Sequence, residues 1–321
     1  MAWLIFAISA YFINAVNAVI DKFLLGEPQG ARLAKSGKIP EPIVYSFYVG
    51  LLSIFALIIV PFAPSGFIWP GTYQFLLSIA VGSAFLLALI AYFTVMKRNE
   101  ASRVVPVIGG FTPIFVFLLS YVILGERLDK LQMLAFLLLV IGGVLMSLRK
   151  NNKKRLIRFS IEDFEIVVIS AFLFAIFYVG MKLIFAYQPF VSGFVWSRMG
   201  SFLTALGMLL FAENRRKIFH TAKTIEFKIG GLFVFNKASA GLAFLLQNLA
   251  ISLGSVIFVN AVQGVQYVFL FGLTTLISKK APQILEEQIT PAALLQKVFA
   301  ILLISIGLLV LAFYHPTSMQ L

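Results

Sequence analysis

The stretch Arg149-Lys-Asn-Asn-Lys-Lys-Arg-Leu-Ile-Arg-Phe-Ser-Ile-Glu-Asp163 is the longest polar interruption of an otherwise apolar chain. Five apolar stretches precede it, near 2–20, 43–62, 73–96, 104–124 and 131–148. Five follow, near 164–186, 190–212, 229–252, 255–277 and 293–314. Crossing a hydrocarbon layer takes about 20 helical residues, so ten crossings use about 200. The chain has 321, which leaves short loops and no room for a sizeable soluble domain. Apolar residues make up 60% and charged residues 12%, against about 45–50% and about 25% in soluble domains. The expected fold is an all-α membrane protein with ten transmembrane helices. The expected divisions are a five-helix unit over 1–148, a basic cytoplasmic linker over 149–163 and a second five-helix unit over 164–321.

Charge orients these helices. Loops after odd-numbered helices share one side and hold twenty-one basic residues, among them Lys97, Arg98, Arg215, Arg216 and Lys217. Loops after even-numbered helices hold two, Arg127 and Lys130. The positive-inside rule places the odd loops in the cytoplasm and both termini outside, for a multi-pass protein of the cytoplasmic membrane. The net charge of +13 thereby faces anionic lipid, and no nucleic-acid partner is implied. No basic residue precedes the first apolar run, as a cleavable signal would require, so the first helix is expected to remain. Tyr187–Pro189 and Leu253-Gly254 must be tight turns.

The two halves share a weak repeat. Phe12-Ile-Asn-Ala-Val-Asn-Ala-Val-Ile-Asp-Lys22 answers to Phe172-Leu-Phe-Ala-Ile-Phe-Tyr-Val-Gly-Met-Lys182. Leu124-Gly-Glu-Arg-Leu-Asp129 answers to Leu285-Glu-Glu-Gln-Ile-Thr290. Each half has an odd number of helices, so the second copy must be inverted in the membrane, a common transporter construction. The run Asn99-Glu-Ala-Ser-Arg-Val-Val-Pro-Val-Ile-Gly-Gly-Phe-Thr-Pro113, with Leu124-Gly-Glu-Arg-Leu128 and Ile141-Gly-Gly143, resembles the EamA module of the drug/metabolite transporter superfamily. Leu253-Gly-Ser255 through Glu286-Glu287 and Gly307 looks like its second copy. The resemblance covers nearly the whole chain. It implies two inverted five-helix repeats around a central cavity and movement of small metabolites by alternating access, with the substrate left open. Two departures matter. Helix 1 has Asn14 and Asn17 where small multidrug relatives carry a proton-exchanging glutamate, and Lys279-Lys280-Ala-Pro282 lengthens the second copy.

Charge inside hydrocarbon costs several kcal/mol unless it meets partners or water. Arg198 and Lys237 lie about 12 and 13 Å into helices 7 and 8, with no acid at comparable depth. Two such cations suit an anionic or zwitterionic solute; the alternative is snorkelling or binding to backbone carbonyls. Lys182, nearer a helix end, is expected to snorkel. Asn260, Gln263 and Tyr267, with Gln266 beside them, share one face of helix 9. Lys237, Gly241, Phe244 and Asn248 share a face of helix 8, and Asn14, Asn17 and Asp21 one of helix 1. Lipid satisfies no amide, so these faces point to the interior, as a wet cavity or as interhelical glue. Pro106, Gly109, Gly110 and Pro113 loosen helix 4. Glu126 and Glu287 read as helix-end charges pairing with Arg127, Lys280 or solvent, rather than as proton-coupling groups. Trp3, Trp69 and Trp196 fit interfacial anchors.

Cysteine is absent, and His220 and His315 are far apart, so neither a thiolate nor a histidine metal site is expected. No catalytic set, phosphate loop or cofactor motif occurs. The reading that follows is a secondary transporter of a small polar metabolite, a monomer or a homodimer in the lipid bilayer. Its direction and any coupling ion, a proton included, are not written in the sequence. Flipping of a lipid-linked headgroup is a second possibility. A non-transporting scaffold or an intramembrane enzyme is a third.

Overall fold

Helices that are apolar on every side satisfy their backbone internally and leave only side chains to meet lipid, and the described chain is built from such helices. The computed structural model describes residues 2–24, 41–64, 66–98, 101–147, 160–222, 227–278 and 291–313. In chain order these form α1 (Ala2–Leu24), α2 (Pro42–Leu52), α3 (Thr72–Arg98), α4 (Ala101–Leu119) and α5 (Lys130–Ser147). Then come α6 (Ile161–Tyr187), α7 (Phe190–Met208), α8 (Ala212–Ala222), α9 (Phe227–Leu253), α10 (Val256–Ala261), α11 (Gly264–Ser278) and α12 (Pro291–Phe313). Among the described residues, seven helices are long and apolar enough to cross a membrane, or eight if α7 and α8 count as one bent span.

Local chemistry sets the helix ends. Pro42, at the first position of α2, has the fixed φ that a helix start needs. At the start of α6 the Ser160 hydroxyl accepts from the Asp163 amide at 3.1 Å, and Glu162 and Asp163 complement the helix dipole. The Leu124–Asp129 motif is a stop and a start in six residues. Gly125 closes the π-turn Ser120–Leu124 at φ 67°, a left-handed conformation that glycine adopts without strain. Asp129 then accepts from the amides of Leu131 and Gln132 at 2.9 Å each, while the Gln132 side chain accepts from the Asp129 amide at 3.1 Å.

Four expectations change. The seventh stretch ends at Met208 rather than 212, where the chain bends by 99° into α8 and puts Arg215, Arg216 and Lys217 on a helix. The ninth is broken at Val262-Gln263. The second ends as a 3-10 helix, Ser53–Phe62, around Pro61. Helix α6 takes in the last three residues assigned to the linker, because Ser160 caps it. The basic linker core, Lys279, Lys280, Glu286, Glu287 and His315 lie outside the described residues.

Small residues set the closest packing, as expected where lipid gives helices no hydrophobic reason to associate. On α3 and α7, a Cβ added to Gly82 would strike the Ser197 carbonyl, and one added to Gly200 would strike that of Ile79. Ser201 donates to the Gly82 carbonyl at 2.7 Å, and Thr204 to the Ser83 hydroxyl at 2.7 Å. Gly142 and Gly307 let α5 and α12 meet as closely, and Gly143 abuts Gly264. Further interfaces join α1 to α9 and α11, and α6 to α3 and α4.

Gly200→Ala is therefore expected to destabilise the detergent-solubilised protein by about 1–3 kcal/mol. Gly207→Ala, on the same helix where an added Cβ meets nothing within 4 Å, should leave the thermal unfolding midpoint unchanged or slightly raised. Equal midpoints for the two variants would refute the close-approach account.

Candidate functional site

The deepest charge in the described bundle is Arg198 on α7, 8% exposed. Helical rise places it about 12 Å from the start of α7, level with the aromatic layer between α3, α6 and α9. Its guanidinium carbon lies 4.9 Å from the centre of the Phe85 ring and 4.7 Å from that of Phe244. These rings are 4.9 Å from each other, and Phe177 lies 4.9 and 5.5 Å from them. One terminal nitrogen, Nη2, donates to the Ser53 hydroxyl, which itself donates to the Val49 carbonyl at 3.1 Å. The other, Nη1, is buried with no protein acceptor in reach.

The magnitudes separate two effects. Ring faces offset a desolvated cation by ~2 kcal/mol. They accept no directed N–H bond of ordinary strength, and a buried donor left without one costs ~1–3 kcal/mol, more when charged. Charge and hydrogen bonding are thus each only partly compensated.

Lys237 differs from Arg198. It is half-buried on α9, its ammonium 4.9 Å from the centre of the Tyr45 ring of α2. Tyr45 packs on Phe93 at 4.5 Å, and the neighbouring Ile90 and Thr94 line a cavity of about 530 Å³ at the basic end of the bundle. Glu41, Lys97, Arg98, Asn214 and Lys217 also line it. Most of these charges are paired: Lys217 with Glu41 at 3.0 Å and Glu213 at 2.6 Å, and Arg98 with Asp163 at 3.3 Å. The polar interior and the cavity are therefore different places, joined along α2 through Tyr45, Val49 and Ser53.

A second cluster surrounds the break in the ninth stretch. The Gln263 amide bonds the Asn260 carbonyl at 3.1 Å, one residue short of the α-helical pattern. That releases the Val259 carbonyl, which accepts from the Tyr11 hydroxyl at 2.8 Å. Gln247 donates to the same hydroxyl at 3.3 Å, and Tyr178 lies alongside both. The sequence reading missed Tyr11, Gln247 and Tyr178. Tyr11 stands three residues before Asn14 and Gln247 beside Asn248, so the two stripes needed only to be widened.

Of the residues singled out from sequence, Asn17, Asn248, Asn260, Tyr267 and Arg198 are buried; Asn14, Gln263 and Lys237 are half-buried. Asn248 and Asn260 donate back to the carbonyls of Phe244 and Val256, each at 2.9 Å, and their Oδ1 atoms have no donor in reach. Neither polar atom of Asn17 is bonded, nor is the Tyr267 hydroxyl, which sits against Gly109. The stripe on α9 is not one face: Gly241 is exposed, and the buried side runs through Asn236, Ala243, Gln247 and Asn248. No side chain of Asp21 is described. Lys182 is not snorkelling, for its ammonium donates to the carbonyls of Ile251 at 3.1 Å and Gly254 at 2.8 Å, closing the C-terminus of α9. Among the described residues no group of three or more His, Cys, Asp or Glu could hold a metal.

Glu126, in the turn after α4, faces Lys182 and Ser255 rather than Arg127. Burial raises its carboxyl above the ordinary range, against the smaller opposing pull of Ser255 and Lys182. A raised folded value means a contribution to stability present at low pH and lost as pH rises through that value.

No family model matches the chain, and no curated protein matches it. Twenty-one chains of solved structures do. One crystal structure superposes over 99% of this chain and 98% of its own, with a TM-score of 0.64 at 16% identity. That likeness establishes a shared whole-chain fold and nothing about activity.

Two outcomes follow. Tyr11→Phe strands the Val259 carbonyl and should cost about 1–3 kcal/mol in thermal unfolding; wild-type stability would mean the hydroxyl is not what satisfies the break. Glu126→Gln should stabilise the protein at neutral pH, the gain shrinking as the pH is lowered; a gain that grows on acidification would reverse the assigned sign.

Proposed function

We propose that this chain is a secondary transporter of a small organic solute, of the kind the EamA resemblance implies. In this reading ten crossings are arranged as two inverted five-helix repeats, and Arg198 is central to the substrate site. The observation that carries it is the buried guanidinium with one nitrogen unbonded and, among the described residues, no carboxylate ion pair. A scaffold has no use for so costly a group, whereas a transporter completes its hydrogen bonding with each solute bound.

The packing supports two related halves. Exchanging α1 with α6, α3 with α9, α4 with α10–α11 and α5 with α12 carries the α1–α9 interface onto α6–α3. It carries α1–α11 onto α6–α4, and α5–α12 onto itself. Among the described residues the tight α3–α7 interface has no comparable α9–α2 counterpart, which is the asymmetry expected of a bundle shut on one side and looser on the other. The looser side is the basic one, where the cavity lies. A solute from that side would pass Lys237 and Tyr45 before reaching Ser53 and Arg198. The break at Val262-Gln263 fits the discontinuous helices of transporter sites.

Counterflow into proteoliposomes by the full-length protein tests the reading, with radiolabelled amino acids, nucleosides, sugars and organic acids. At least one should show saturable exchange, and Lys237→Ala should slow its initial rate several-fold while leaving the unfolding midpoint intact. Absence of exchange for every class would reject transport. Unchanged exchange in Lys237→Ala would remove that residue from the path.

A further inference from the structure

We propose that the outward face of α8 is a docking surface for anionic phospholipid, a role that does not depend on the transporter reading. Helix α8 leaves α7 at 99°. It therefore runs across the basic end of the bundle, in the plane of a bilayer surface, where α7 runs along the bundle. Three side chains hold it there. Ile218 is buried among Val44, Phe47 and Met208, Asn214 donates to the Met208 carbonyl at 3.4 Å, and Lys217 pairs with Glu41 at the start of α2.

The other side of α8 faces outward. The Arg215 amide bonds the Phe211 carbonyl at 3.0 Å, so Phe211 shares the helical register, and four-residue steps bring Phe211, Arg215 and Phe219 onto one side. All three are exposed. In water the two rings would cost free energy, and in hydrocarbon the guanidinium would. Headgroup depth suits both, with rings toward the acyl chains and the cation toward the phosphates. Arg216 and His220 are exposed one step further round the helix. Charge then selects the lipid. The one acid of α8, Glu213, is taken up by Lys217 at 2.6 Å, and among the described residues neither Arg215 nor Arg216 has an ion pair. Two adjacent guanidinium groups of this kind gain from each phosphodiester beside them. Phosphatidylcholine offsets that gain with its own ammonium, and phosphatidylglycerol carries none.

The test places the full-length protein carrying Phe219→Trp in vesicles of brominated phosphatidylcholine, brominated phosphatidylglycerol or their mixtures. It reads quenching of the introduced indole, and the unsubstituted protein supplies the signal of Trp3, Trp69 and Trp196 to be subtracted. Both lipids should quench, with phosphatidylglycerol preferred at least about threefold, and the preference should fall toward one as salt is raised. Arg215→Gln together with Arg216→Gln should abolish it. Arg127→Gln together with Lys130→Gln, which removes as much charge at the opposite end, should leave it unchanged. No quenching by either lipid would mean that α8 does not meet the bilayer. Equal quenching by the two lipids, or a preference that survives the arginine pair, would overturn the assignment. Loss of the preference in both double variants would replace a local surface by net charge. Suppression of the preference by soluble glycerol 3-phosphate would make the site one for free phosphate esters and not for lipid. Should the arginine pair not fold, the salt series on Phe219→Trp decides, and a preference that salt does not move rejects the proposal.

Discussion

Lipid offers no hydrogen bonds, and most of this structure is an answer to that constraint. At two interruptions of the helical ladder a side chain from another element takes the freed group. Tyr11 of α1 reaches the Val259 carbonyl at the break after α10, and Lys182 of α6 closes the end of α9. Both bonds span large sequence separations, so the irregular backbone helps hold α1, α6, α9 and α10 together. The α3–α7 interface follows the same logic on a smaller scale, with serine and threonine hydroxyls spent on neighbouring backbone or on each other.

Against that background the incompletely bonded groups stand out by their place. Arg198, Asn17, Asn248, Asn260 and Tyr267 belong to α1, α7, α9, α10 and α11 and all retain an unbonded polar atom. They are not alone in this, for Ser46, Gln74, Thr112, Ser120 and Gln188 also keep a buried unbonded oxygen, and each such group costs stability. The cost is concentrated at Arg198, where charge makes an incomplete shell most expensive. The amides lost less, since Asn248 and Asn260 each return a bond to their own helix. Of the two basic residues read as intramembrane, Arg198 is thus the more completely buried and the less completely bonded, while Lys237 rests on the Tyr45 ring nearer the basic end.

Much of this was legible in the sequence because apolar length and punctuation are local signals. Among the described residues each of the ten apolar stretches is mainly helical, and Gly125 and Asp129 mark a stop and a start for reasons visible in six residues. The depth of Arg198 could be counted from Phe190. What could not be read depends on partners far along the chain. The break at Val262-Gln263 has no proline or glycine at the break itself and is held by Tyr11, about 250 residues away. Periodicity across it therefore misplaced Gln263 relative to Asn260 and Tyr267. The bend before α8 was hidden because Leu209-Leu210-Phe211 continues the apolar run without interruption. On α9 the stripe was chosen by polarity, whereas burial follows contact with α1, and so Gly241 was counted on a face it does not share.

The order of the cations along α2 carries the last step. At the basic end Lys217 and Arg98 have carboxylate partners and access to water, so an anion there gains little. Lys237 is half-buried over Tyr45, and Arg198 is buried with an unsatisfied nitrogen. Attraction for a negative group therefore strengthens inward as screening falls. In the proposed transporter reading, a gradient of this kind would draw the negative group of a solute inward from the basic end.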